Sequence, residues 1–227
     1  NNHSKELTSK LNLEYTIDKH HGVNLNVYFD RNSLRPKDPL MDKALGFQSN
    51  FPSRMNTLTL ALSYDLTLFE GRFQNAFTLK NYKFSSHSRS INVYSVSAPE
   101  PVSVSKSYFG FNDAMRYKLT NDWMVKASFN SEVRIPTNEE LIGNGYSILA
   151  SPALKPERTS GVNVGMMYRH IKQNGGLVEI EFNGFYNQLK DMIRFTPDLI
   201  PTMARYRNFG SVRTRGIELD VKADVCS

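Results

Sequence analysis

The chain has 227 residues, 28 of them basic and 22 acidic, for a net charge of +6. These charges are spread along the chain without a long run of one sign, so a nucleic-acid surface is not expected. The one cysteine, Cys226, cannot form an internal disulfide, no Cys/His group has metal-ligand spacing, and neither a cofactor nor a bound metal is expected.

The opening Asn1-Asn2-His3-Ser4 has no charged region followed by an apolar core, so a leader peptide is expected to be absent or removed. No apolar run approaches the roughly 18 residues that a membrane helix requires. The mean hydropathy of −0.45 does not exclude a transmembrane barrel, because lumen-facing polar residues mask the lipid-facing ones.

The dominant pattern is alternation with a period of two, the signature of strands with one apolar and one wet face. Leu11, Leu13, Tyr15 and Ile17 share one face, against Lys10, Asn12, Glu14 and Thr16. Val23, Leu25, Val27 and Phe29 follow, then Leu58, Leu60, Leu62, Tyr64, Leu66 and Leu68. After a turn at Phe69-Glu70-Gly71, Phe73, Phe77 and Leu79 oppose Arg72, Gln74, Thr78 and Lys80. Phe109, Phe111, Met115, Tyr117 and Leu119 share a face with Asp113, which predicts a bulge there. Trp123, Val125, Ala127, Phe129 and Val133 form the next face, followed by Val162, Val164, Met166 and Tyr168. Val178, Ile180, Phe182 and Tyr186 then oppose Glu179, Glu181, Asn183 and Asn187. Ile217, Leu219, Val221 and Val225 oppose Glu218, Asp220, Lys222 and Asp224.

The pattern gives about nine strands, most of roughly 10 residues, longer than soluble strands and matching the ~9–11 of a tilted membrane-spanning strand. Short turns near 19–22, 69–71, 120–122 and 171–176 alternate with long connections at 30–56, 83–106 and 134–156, while 196–203 is intermediate. A meander of hairpins puts alternate connections on one side, giving a short-turn end and a long-loop end, as in outer-membrane barrels. Phe29, Tyr82, Trp123, Tyr168 and Tyr186 sit near strand ends and are candidates for interfacial girdles.

Several segments resemble the barrel of TonB-dependent outer-membrane receptors. They are Arg134-Ile135-Pro136-Thr137-Asn138-Glu139-Glu140-Leu141, Ser151-Pro152-Ala153-Leu154-Lys155-Pro156-Glu157-Arg158-Thr159, and Tyr206-Arg207-Asn208-Phe209-Gly210 with Arg215-Gly216-Ile217-Glu218-Leu219. Phe185-Tyr186-Asn187 and Asp191-Met192-Ile193 lie between the last two. Order and spacing match over roughly 107–225. The resemblance implies an all-β antiparallel transmembrane barrel, with residues 1–227 as an incomplete part of a 22-stranded plugged receptor lacking the plug and final strands. It implies a non-enzymatic importer in the bacterial outer membrane, embedded in its lipid. The TonB-ExbB-ExbD system would drive it through the missing plug, to take up a scarce ligand such as an iron chelate or oligosaccharide.

The loop motifs also have a direct physical reading. Ile135-Pro136 and Lys155-Pro156 bracket a loop with a turn signal at Asn144-Gly145. Gly216 suits a bulge or a close approach. Arg134, Glu140 and Glu157 are placed to pair at the extracellular rim, and Asp198 and Glu139-Glu140 read as solvated charges. Candidate ligand contacts are Arg89, Tyr94, Arg134, Tyr146, Arg205 and Tyr206, since arginines bind anionic chelates and aromatic rings stack on sugars or catecholates. Haem is disfavoured: within the resemblance its receptors carry a histidine between the two proline segments, and Thr137 to Ser151 has none. Of the five histidines only His87 falls in a long connection by this reading. Two other readings are a passive porin-type channel and a soluble carbohydrate-binding β-sandwich. The sandwich requires the apolar faces to pack on each other.

Overall fold

The computed structural model describes residues 3–35, 43, 51–90, 100–143, 147–171, 176–198 and 203–224. Nine long strands run His3–Thr16 (β1), His21–Arg35 (β2), Ser53–Leu68 (β3), Phe73–Ser90 (β4), Glu100–Lys118 (β5), Trp123–Arg134 (β6), Glu157–Ile171 (β8), Leu177–Pro197 (β9) and Ala204–Asp224 (β10). A five-residue helix α1, Asn138–Ile142, and a two-residue strand β7, Ile148–Leu149, lie between β6 and β8. All form one sheet of order β1-β2-β3-β4-β5-β6-β8-β9-β10-β7. The long strands pair antiparallel with their chain neighbours, and β7 pairs parallel to β10. Among the described residues no helix is long and apolar enough to cross a membrane.

The registers explain why the alternation was so regular. Leu13, Leu25, Leu62, Leu79 and Phe111 fall in one row across β1 to β5. Tyr15, Val23, Tyr64, Phe77, Asp113, Phe129 and Val162 form the next. Among the described residues this face has no second layer, and Leu13, Leu62 and Val164 are 54%, 51% and 58% exposed. So broad an open apolar surface marks a face that meets lipid. The sandwich expectation is overturned, because the described strands form a single sheet whose apolar face packs against no other described sheet.

The opposite parity is polar and cross-linked. Lys80, Gly110 and Glu132 occupy neighbouring positions on β4, β5 and β6, and the Lys80 ammonium reaches across the glycine to Glu132 at 2.6 Å. A Cβ on Gly110 would stand 2.7 Å from the Ser131 carbonyl and 3.2 Å from the Tyr82 ring, which itself donates to Glu132. Lys126 pairs with Glu181 over Gly165 on β8 in the same way. Gly216 likewise lies beneath the Phe185 ring, whose Cζ would be 2.7 Å from an added Cβ, so close approach is its role.

This inner face is concave. Asn138 of α1 donates to Ser53 on β3, and its neighbour Glu139 accepts from Tyr206 on β10, each at 3.2 Å. Six strand spacings, about 29 Å in a flat sheet, separate β3 from β10. Consecutive residues reach both only if the sheet curls into a trough around them. The apolar core sits there, where Met55, Phe84, Leu141 and Leu154 are buried with Tyr108, Ile135, Ile193 and Tyr206 against them.

Four expectations are corrected. β5 has no bulge opposite β4: its register is continuous, so Asp113 stays on the outer face and accepts from Asn75 at 2.5 Å. The connections expected at 30–56 and 83–106 are shorter, because β2, β3, β4 and β5 continue into them. His87 is accordingly a strand residue opposite Arg54 and Ser103. Tyr82 faces the trough and is not a girdle residue, whereas Trp123 and Tyr168 do meet at the short-turn rim, with ring centroids 4.9 Å apart. Asn144-Gly145 lies outside the described residues.

In this structure β1 has an unpaired backbone edge, and both of its faces are exposed. The isolated segment in detergent-free buffer is therefore expected to aggregate. Size-exclusion chromatography with light scattering checks this, and a monodisperse, cooperatively melting monomer would refute it.

Candidate functional site: the inward loop at the long-loop rim

Residues 135–143 and 147–156, between β6 and β8, are seated in the trough. Thr137 caps α1: its hydroxyl accepts from the Glu140 amide at 3.2 Å, and Glu140 Oε2 accepts from the Thr137 amide at 2.7 Å. This reciprocal pair satisfies two amides that the first helical turn leaves open. Gly143 ends the helix at φ 75°, where a Cβ would come within 2.1 Å of the Ile148 carbonyl oxygen. The residues after it form β7, which joins Ala204 and Arg205 of β10.

Arg134 ties the loop to the barrel wall. Its Nε donates to Glu157 at 2.7 Å, while its two terminal nitrogens donate to both oxygens of Glu140 at 3.0 and 3.2 Å. Glu140 is 8% exposed. The other Glu157 oxygen accepts from the Ile193 amide on β9 at 2.7 Å. One guanidinium thus binds the start of the loop, its helix and the strand after it. The donation from Arg134 holds the Glu157 carboxyl below its ordinary pKa, and Glu157 in return holds the Arg134 guanidinium protonated more firmly. A second clamp lies at the loop's far end, where the Asn208 side chain donates to the Lys155 and Asp191 carbonyls and accepts from the Lys155 amide.

The structure places the candidate residues in different settings. Arg134 is committed to its two carboxylates. Tyr206 packs on Phe195, ring centroids 5.1 Å apart, with its hydroxyl on Glu139. Burial, with Glu139 adding to it, pushes that phenol above its ordinary pKa. Arg205 pairs with Asp198, which also faces Arg207 at 3.9 Å. Asp198 is not a solvated charge, its side chain being 1% accessible, and Glu140 is corrected in the same way. Arg89 lies apart, over the Phe51 ring at 5.8 Å and outside the trough. Tyr94 and Tyr146 fall outside the described residues. The sequence reading missed α1, although Thr137-x-x-Glu140 before Leu141-Ile142 carries the capping signal. Among the described residues no group of His, Cys, Asp and Glu could hold a metal ion.

A curled antiparallel sheet, apolar outside and polar inside, with a loop folded into its mouth, defines a wall segment of a large outer-membrane β-barrel. The family model described as TonB dependent receptor-like, beta-barrel matches residues 102–224, more than half of the sequence, and the chain belongs to that family. It is a family of outer-membrane receptors and transporters and not of enzymes. Solved structures share the fold across nearly the whole chain. The copper transporter OprC is 17% identical at a TM-score of 0.73, covering 98% of this chain and 35% of its own. The FrpB iron transporter from Neisseria meningitidis is 14% identical at 0.70, covering 99% and 34%. The Serratia marcescens hemophore receptor HasR, solved as a double mutant with its hemophore HasA and heme, is 14% identical at 0.66, covering 98% and 39%. The chain therefore spans little more than a third of the length of these proteins. No curated protein matches it by sequence.

Replacing Arg134 by Met in the intact barrel strands the buried Glu140 carboxylate and is expected to destabilise loop docking by about 3 kcal/mol. Limited proteolysis reads it as faster cleavage within 135–156 while the barrel itself stays resistant. The clamp also responds to pH. Because the Glu157 pKa is depressed in the folded loop, its contribution is complete above the ordinary glutamate range and is lost as pH falls through the depressed value. Protection of the Ile193 amide from hydrogen exchange is expected to persist through the ordinary glutamate range and to be lost only at more acid pH. Protection in a Glu157→Gln barrel equal to that of the unaltered barrel at neutral pH would show that the carboxylate does not hold the strand.

Proposed function

We propose that the barrel containing this segment is a gated importer, driven by the TonB-ExbB-ExbD system, for a scarce ligand such as an iron chelate or an oligosaccharide. Family membership carries this reading. The inward loop supports it: clamped by Arg134, Glu157 and Asn208, it holds a fixed polar and aromatic surface at the long-loop end of the trough. In this reading the ligand meets the long-loop rim, where Arg89, Tyr94, Arg134, Tyr146, Arg205 and Tyr206 are the candidate contacts. Tyr206 is the first among the described ones, because its ring lines the mouth beside the Glu139 end of α1. Arg134 acts there through the loop that it positions. The solved neighbours include an iron transporter, a copper transporter and a hemophore receptor, and this spread of cargo favours no single ligand for this chain.

Uptake of a labelled ferric chelate or oligosaccharide into cells expressing the intact receptor tests the proposal. Uptake is expected to saturate and to stop when TonB is deleted or the proton-motive force is collapsed. Unsaturable uptake that survives both treatments would instead establish a passive channel.

A further inference from the structure

The outer face of the sheet sorts its charges by sign. The registers assign each strand residue to the trough or to the outside, and the acids fall almost wholly in the trough: Glu132, Glu157, Glu179, Glu181, Glu218 and Asp220 all share the inner parity. Among the described strand residues Asp113 is the only acid with outward parity.

On β1 to β5 the outward cations gather at the long-loop end, whereas on β8 to β10 Arg158, Lys190, Arg194, Arg207, Arg213 and Arg215 also have outward parity and are spread along the strands. Above the row Leu13–Leu25–Leu62–Leu79–Phe111, the outer face of β1 to β5 carries basic residues over four rows. Lys83 comes first, beside Leu58. Arg31 follows, paired with Leu7 and Asn56. Then come Lys5 and Arg54, both opposite Ser33, with His87 beside Arg54. Arg89 and Arg35 lie highest, opposite Pro101 and His3. All of these basic residues except Lys83 line an open cleft of about 1180 Å3 with Phe51 on its wall, and Glu6 is the only acid among its described lining residues. None of the basic side chains forms an ion pair with a described carboxylate. Their nearest recorded company is neutral: serine and asparagine across the strands, and the Phe51 ring under Arg89.

Cations so close together, with no carboxylate partner among the described residues, repel one another and do not help a soluble surface fold. Their height explains them. They lie just beyond the lipid-facing band on the long-loop side, at the level of the headgroups of the outer leaflet. We propose that this cleft binds the phosphate groups of an anionic outer-leaflet lipid, with Arg31, Arg54 and Arg89 as the principal contacts and Lys5 and Lys83 flanking them. Guanidinium groups grip phosphate oxygens in a fork, and clustered cations at a membrane surface gain roughly additively from anionic headgroups. Leu7 and Leu58 share the rows of Arg31 and Lys83, and Leu11, Val27 and Leu60 form the next row below on the same face, where acyl chains leave such a headgroup. The site is on the opposite side of the wall from the trough, and it assigns Arg89, a candidate ligand contact at the rim, to lipid instead.

The test uses the intact barrel purified from outer membranes in zwitterionic detergent. It is titrated calorimetrically with phosphatidic acid, with phosphatidylcholine and with inorganic phosphate. Saturable binding of phosphatidic acid alone, weakening as salt rises, is the expected result. The triple variant R31Q/R54Q/R89Q is expected to bind it about a hundredfold more weakly, from the loss of three headgroup cations. Retained heat-modifiable mobility on gels shows that this variant keeps its barrel. If the variant does not fold, the comparison between the two lipids on the unaltered barrel decides alone. Equal binding of both lipids, or inorganic phosphate binding as tightly as phosphatidic acid, overturns the proposal.

Discussion

Acyl chains offer no hydrogen bonds, and this constraint accounts for most of what the sheet looks like. Every backbone amide and carbonyl at membrane depth must find its partner in a neighbouring strand. The long, continuous registers from β1 to β6 and from β6 through β8 to β10 meet that demand without interruption across the apolar rows. Regularity has a consequence at Asp113. A bulge would turn its carboxylate away from the lipid but would break the ladder, and the structure keeps the ladder and gives the carboxylate Asn75 as a partner instead. A side-chain hydrogen bond is the smaller adjustment.

The concave face solves a different problem. Polar side chains from adjacent strands converge there, and a full set would collide. Glycines at 110 and 165 remove the middle side chain, so that lysines on one neighbouring strand reach glutamates on the other. The resulting links run across three strands rather than two. They are half-buried pairs with their charges balanced close by, which limits the desolvation penalty that isolated interior charges would incur.

The inward loop joins the two designs. It brings the only sizeable apolar core of the described residues into an otherwise polar trough, seated on Met55 and Phe84. Hydrophobic contact alone would leave its position loosely defined. The forked donation of Arg134 to two carboxylates, with the Asn208 clamp at the far end, fixes where it enters and leaves. The end of the trough is thereby shaped by chain from the same wall, with Tyr206 and α1 joined at its edge.

The sequence by itself determined the number of long strands, their faces and the alternation of short and long connections. Each of these follows from the contrast between lipid and water, which is written residue by residue as a period of two. It also marked the two prolines that bracket the inward loop. It understated the strands wherever they leave the membrane. In Ser85-Ser86-His87-Ser88 both faces are polar, so no alternation survives although the ladder continues. Only the tertiary structure decided the direction of the loop, the burial of Glu140 and Asp198, and the sorting of charge between inside and outside. Those depend on which residues meet across strands separated by many tens of positions. Lys80 and Glu132 are neighbours only because β5 stands between them with a glycine, and no local pattern records that distance.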